Sequence, residues 1–170
     1  IGKSILRLSL LKNLDIVAIN ETNQNIENIA YLINYDSTYG KLEDKFVATN
    51  DRIENSQKKI QILNHPTLDT IDYKSLQIDL VIDASGISQN KELLSSLNLK
   101  AIFLTHPSHD ADINIVLGAN EEQLKLEHKI ISTSSCNASA LLPFLKLIDD
   151  NYTIDSGDIT TIHPLLNHQK

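Results

Sequence analysis

Residues 78–84 read Ile-Asp-Leu-Val-Ile-Asp-Ala, and this run decides the fold class. It is short, apolar and rich in β-branched side chains, the pattern of a strand buried in a parallel sheet. Upstream, residues 14–20 (LDIVAIN) repeat it; downstream, residues 101–105, 113–117 and 129–132 read as further short strands. Helical spacing fills the intervals. Ile1, Ile5, Leu8 and Leu11 form a stripe over residues 1–13, Ile26, Ile29 and Ile33 share a face over 23–33, and a short helix covers 93–97. Residues 34–41 (NYDSTYGK) are a turn-rich loop, and 46–49 with 59–63 suggest a small antiparallel excursion. Strands alternating with helices predict a doubly wound α/β sheet. That fold opens on a strand whereas this chain opens on a helix, so the first strand is expected to be missing.

The 170 residues suffice for one buried core, or for one domain and part of another. Hydrophobic residues at 41% and charged residues at 22% give an ordinary globular balance. A net charge of -7 argues against a nucleic-acid partner, whose phosphates require a basic face. No apolar run approaches the roughly 20 residues of a membrane span, and no leader pattern opens the chain. One cysteine forms no internal disulfide, which fits a reducing, cytoplasmic setting. Methionine is absent and the chain opens at Ile1, so a trimmed or partial chain is expected.

The chemistry centres on Cys136 within residues 132–140 (STSSCNASA). A strand end precedes it. Residues 138–150 (ASALLPFLKLIDD) read as a helix with Leu141, Phe144, Leu145 and Ile148 on an expected buried face. Pro143 is expected in its early part, since proline is tolerated near the first turn. Cys136 then stands at a helix N-terminus, where unpaired N–H groups and the dipole favour the nucleophilic thiolate. Residue type alone fits a small buried apolar cysteine as well. Residues 158–163 (DITTIH) read as a β-branched strand ending in His163, and histidine is the side chain best suited to take a thiol proton near neutral pH. A lone histidine near a strand end is more often structural, and spacing alone does not establish that the two meet. His106, His109, Asp110 and Asp112 cluster without a diagnostic ligand spacing, so no metal site is expected.

On these residues the chain resembles the glyceraldehyde-3-phosphate dehydrogenase family. Residues 132–140 resemble its Ser-Asn-Ala-Ser-Cys-Thr-Thr-Asn segment, and 158–163 its Met-Thr-Thr-Val-His segment. His163 follows Cys136 by 27 positions, the family's usual separation. Ala18-Ile19-Asn20-Glu21 is similar to Ala-Ile-Asn-Asp, and Tyr35-Asp36-Ser37-Thr38-Tyr39-Gly40 to Tyr-Asp-Ser-Thr-His-Gly. Asp83-Ala84-Ser85-Gly86 resembles the Glu-Cys-Thr-Gly corner, and Leu117-Gly118-Ala119-Asn120 the Met-Gly-Val-Asn segment. Ile1-Gly2-Lys3 looks like the tail of the Gly-Phe-Gly-Arg-Ile-Gly loop.

The resemblance implies a Rossmann-type NAD-binding domain over residues 1–135, N-terminally incomplete. The beginning of an α+β catalytic domain, C-terminally incomplete, follows over 136–170. It implies NAD as cofactor, Cys136 as nucleophile and His163 as base. Ile1, Gly2, Asn20, Glu21, Ser85, Gly86 and Thr105 would line the dinucleotide side, with Ser135 and Asn137 on the substrate and phosphate side. Glu21 follows Gly2 by 19 residues, close to the spacing of a carboxylate that hydrogen-bonds a ribose 2′-hydroxyl and repels a 2′-phosphate. The implied reaction oxidises glyceraldehyde 3-phosphate through a cysteine thioester that inorganic phosphate cleaves, in a homotetramer.

Departures from the family pattern keep alternatives open. Asn137 and Ala138 replace the two threonines after the nucleophile, and Pro164-Leu165-Leu166-Asn167-His168-Gln169 replaces Ala-Tyr-Thr-Ala-Thr-Gln. Thr105-His106-Pro107 and Leu147-Ile148-Asp149-Asp150 look closer to erythrose-4-phosphate dehydrogenase, which hydrolyses its thioester. A rival from another class is a member that binds nucleotide without turnover.

Overall fold

The computed structural model describes residues 1–12, 14–22 and 25–163. In chain order the elements are α1 (Gly2–Lys12), β1 (Ala18–Asn20), α2 (Ile26–Asn34), β2 (Tyr35–Asp36), β3 (Gly40–Lys41), β4 (Val47–Ala48), β5 (Arg52–Glu54) and β6 (Lys59–Leu63). They continue as β7 (Leu80–Asp83), α3 (Lys91–Ser96), β8 (Ala101–Leu104), β9 (Ile113–Asn114), β10 (Ile130–Ser132) and α4 (Cys136–Tyr152). The α/β class is as expected, and the strands divide into two four-stranded sheets beside the β2–β3 hairpin.

The first sheet runs β1-β6-β5-β4, with β1 parallel to β6 and the other pairs antiparallel. The expected excursion is present, but β4 and β6 do not pair with each other; β5, which sequence reading passed over, lies between them. Leu6 of α1 and Ile29, Ala30 and Ile33 of α2 pack against Phe46, Ile53 and Ile60 on one face. Each fully buried large aliphatic there contributes about 1.5–3 kcal/mol. Asn25 caps α2 by accepting the Asn28 N–H at 2.7 Å. Buried Arg7 donates to the carbonyls of Ile33 (2.7 Å) and Tyr39 (3.0 Å), fastening the 35–41 hairpin to α1.

The second sheet, β7-β8-β10-β9, is wholly parallel. Its register sets Asp83 beside Leu104 and Leu104 beside Ser132, so three strands end abreast. Ile102, Leu104 and Ile130 face a core shared with Leu63, Tyr73, Leu94 and Leu99. Ile82 and Phe103, one position out of phase, face the other way.

Several expectations are corrected. Of residues 78–84 only Leu80–Asp83 form a strand, and its burial grades from Leu80, 43% exposed, to buried Asp83. Only Ala18–Asn20 of the run 14–20 pairs, and Leu14 and Val17 are exposed. The last helix begins at Cys136 rather than at residue 138, which places Pro143 beyond the first turn, where it cannot donate to the Ser139 carbonyl. That helix buries no residue, and Phe144 is 59% exposed instead of lying on a buried face. Residues 158–163 form no strand, because no ladder partner stands beside them among the described residues. The departures at 164–169 lie outside the described residues. No helix among the described residues is long and apolar enough to cross a membrane.

Candidate active site

Residues 132–136 turn the chain from β10 into α4, and hydrogen bonds shape that turn. The Thr133 N–H and hydroxyl both donate to the Leu104 carbonyl, at 2.8 and 3.2 Å. The Ser132 hydroxyl donates to the His106 carbonyl at 2.8 Å and accepts the Ser134 N–H at 3.0 Å. Ser134 adopts a left-handed φ of 61°, uncommon without a glycine. Ser135 then caps α4, its Oγ accepting the Ala138 N–H at 3.2 Å. Cys136 is the first residue of the helix, so its backbone N–H has no helical acceptor.

The thiol is exposed, and its Sγ lies 3.3 Å from Nε2 of His163. The Asn137 carboxamide oxygen is 3.8 Å from the same sulfur. Beside them opens a cavity of about 380 Å³. Ile1, Ile5, Ile82 and Phe103 give it an apolar wall, and Thr105, Ser135 and Cys136 also line it. An exposed thiol paired with an imidazole at the mouth of an apolar recess suits nucleophilic attack on a carbonyl held in that recess.

The structure thus gathers Ile1, Thr105, Ser135, Cys136, Asn137 and His163. Gly2 opens α1 against the end of β7, where an added Cβ would meet Ala84 Cβ at an ordinary 3.5 Å. Ser85 folds onto its own turn: its N–H donates to Asp83 at 2.9 Å, and its hydroxyl accepts the Ile87 N–H at 3.1 Å. Gly86 has a φ of 73° and open space where a side chain would stand. Ser85 and Gly86 do not line the cavity. Nor do Asn20 and Glu21, which stand at the end of β1 in the other sheet. The Asn20 side chain is engaged with the His65 backbone, donating at 3.0 Å and accepting at 2.8 Å. The exposed Glu21 donates its backbone N–H to Leu63 at 3.0 Å.

Two residues here escaped sequence reading. Buried Asp83 leaves Oδ2 without a partner among the described residues. Burial, with the charges of Asp69 and Asp83, pushes the Tyr73 hydroxyl up to about 12. An acid closing an apolar strand was its only signal. Ser132, fully buried, carried none, because its partners come from the segment that follows β8 and from the turn it supports. Among the described residues no group of three or more His, Cys, Asp or Glu side chains could hold a metal ion.

Residues 1–91, more than half of the chain, match the family model described as glyceraldehyde 3-phosphate dehydrogenase, NAD binding domain.

Proposed function

The chain belongs to the glyceraldehyde-3-phosphate dehydrogenase family of NAD-dependent oxidoreductases and carries its NAD-binding domain, and we propose that it serves the oxidation of glyceraldehyde 3-phosphate through a thioester on Cys136. The observation that carries this reading is the 3.3 Å approach of Cys136 Sγ to His163 Nε2. In this reading residues 1–135 hold the cofactor, residues 136–170 open the catalytic domain, and the working assembly is a homotetramer.

The residues present fit NAD. The N-terminus of α1 offers unpaired N–H groups to a pyrophosphate. The apolar wall of Ile1, Ile5, Ile82 and Phe103 suits a planar ring. Glu21 at the end of β1 is a carboxylate suited to a ribose hydroxyl. Gly2, Asn20, Ser85, Gly86 and Thr105 complete the proposed dinucleotide side, with the Asn20 side chain acting on the shape of the β1 end rather than as a donor.

His163 Nε2 takes the thiol proton, and the thiolate attacks the aldehyde carbon. A C–S bond forms, and the carbonyl π pair moves to oxygen. The protonated His163 ring and the Cys136 backbone N–H donate to that oxyanion. Bound NAD supplies one thing, an acceptor for the hydride that this carbon loses as the C=O bond re-forms. Phosphate then attacks the resulting thioester, with Ser135 and Asn137 on its side of the cleft. The C–S bond breaks, releasing an acyl phosphate and restoring the thiolate.

One observation favours a second outcome. Asn137, at 3.8 Å from the sulfur, and Ala138 offer no hydroxyl to an attacking phosphate. Water would then cleave the thioester, as in erythrose-4-phosphate dehydrogenase. The test is aldehyde-dependent NADH formation by the full-length protein, with and without phosphate, on glyceraldehyde 3-phosphate and erythrose 4-phosphate. Phosphate-dependent turnover of the former supports phosphorolysis, phosphate-independent turnover of the latter supports hydrolysis, and no turnover of either overturns the dehydrogenase reading.

A further inference from the structure

We propose that Ser132 is a positioning residue whose hydroxyl latches the turn bearing Cys136 to the strand end bearing Thr105, holding the thiol at a set place against the dinucleotide side of the cleft. The inference rests on reading Cys136 as the nucleophile and this cavity as the cofactor's reactive end.

The latch has two halves. Ser132 Oγ donates to the His106 carbonyl at 2.8 Å, while the Thr133 N–H donates to the Leu104 carbonyl at 2.8 Å. The two carbonyls that flank Thr105 are therefore both gripped by the cysteine-bearing turn. Thr105 and Cys136 line the same cavity, so this grip sets the spacing of its two polar sides. On its other side, Ser132 Oγ accepts the Ser134 N–H at 3.0 Å.

That second bond matters because Ser134 holds a left-handed φ of 61°, a conformation that persists only where the surroundings impose it. Ser132 is 0% exposed, so water cannot replace its hydroxyl. Removing it strands the Ser134 N–H and the His106 carbonyl together and frees Ser134 to relax toward negative φ. Ser135 and Cys136 would move with it. Leu141, Leu145 and Ile148 keep α4 half-buried on one face, so the displacement is expected to centre on residues 134–136. The bonds from Thr133 to Leu104 do not involve Ser132 and hold β10 to β8 regardless. The loss is thus expected in the turn, not in the sheet. Ser132 does not line the cavity and acts on it through the Ser134 N–H and the His106 carbonyl.

The test is iodoacetate alkylation of Cys136 in the full-length protein, with and without saturating NAD, for the wild type, S132A and S132T. NAD is expected to change the wild-type rate about threefold or more, because misplacement on the ångström scale is costly at a reacting centre. In S132A the NAD effect, taken as the ratio of rates with and without NAD, should shrink to below about 1.5-fold. S132T keeps the hydroxyl and should keep the NAD effect. An undiminished NAD effect in S132A, or none in the wild type, overturns the latch. Should S132A not fold, amide exchange in the wild type decides: the Ser134 N–H must exchange at least about tenfold more slowly than the exposed Gly157 N–H. Equal exchange rejects the proposal. A wild type that shows NAD-coupled alkylation but no aldehyde-dependent NADH formation removes the oxidation reading and leaves the latch in place.

Discussion

Cys136 Sγ and His163 Nε2 stand 3.3 Å apart although 27 positions separate them in the chain. The intervening chain makes an out-and-back path. The 17 residues of α4 carry it about 25 Å from the cysteine. Thr153, at a φ of 60°, reverses it, and its N–H and that of Ile154 both bond to Asp149. Residues 153–163, extended at about 3.3 Å each, reach about 36 Å, enough to return to the helix start. The spacing of cysteine and histidine is therefore the length of one helix and its return.

If this pairing activates the sulfur, replacing His163 with Ala removes the proton acceptor but leaves the helix start intact. Iodoacetate alkylation at neutral pH and aldehyde-dependent NADH formation should both fall, the latter by about 10²- to 10⁴-fold. An unchanged alkylation rate in the variant would sink the base assignment.

Glu21 follows β1 as an exposed carboxylate. Replacing it with Ser removes the repulsion of a ribose 2′-phosphate and should narrow the preference for NAD over NADP. The measurement is kcat/KM for both cofactors. A wild type that already uses NADP as well as NAD leaves Glu21 with no part in selection.

Asn137 and Ala138 bear on the acceptor that cleaves the thioester. Each lost donor to a phosphate oxygen costs on the order of 1–3 kcal/mol, so the wild-type KM for phosphate should be raised. The N137T/A138T variant should lower it. Saturation of the wild type at low phosphate, with no change in the double variant, would make these departures neutral and weaken the hydrolytic alternative.

Asp112 offers a pH signature outside the cavity. Its carboxylate accepts the N–H groups of Lys129 and Ile130, each at 3.0 Å, and pairs with Lys91 at 2.8 Å. Partial burial opposes ionisation, but these partners outweigh it and hold the group down to about 2, against an ordinary 3.8. A depressed carboxylate stabilises the fold above its unfolded pKa and loses that contribution as pH falls through the folded one. Replacing Asp112 with Ala should lower stability near neutral pH by about 1–3 kcal/mol, because the N–H of buried Ile130 loses its acceptor. The gap between wild type and variant in denaturant unfolding should close from about pH 4 to about pH 2. A gap that persists at low pH would assign the loss to packing instead.

Much of the second sheet was legible in the sequence, because residues 101–105 and 129–132 are short apolar runs of the kind that a parallel sheet buries. The placement of Cys136 at a helix N-terminus was legible too, although the helix begins two residues ahead of the expected 138. The strand expected at 158–163 was not formed: β-branched composition favours an extended chain, but a strand also needs a partner, and none stands beside it among the described residues. Of the face expected for the last helix, Leu141, Leu145 and Ile148 are half-buried and Phe144 is exposed, since periodicity marks one face of a helix without supplying the surface that covers it.

What the sequence by itself determined was therefore local and ordered: the α/β alternation, the cysteine at a helix start, and the run of motifs that marks the family. These depend on side chains within a few positions of one another. Only the tertiary structure decided that the Asn20 side chain is spent on His65 and that His163 returns to Cys136. It alone revealed Ser132, whose acceptor lies 26 positions away. The reason is physical: a hydrogen bond is decided by distance and direction in space, and neither is encoded by the separation of its partners along the chain.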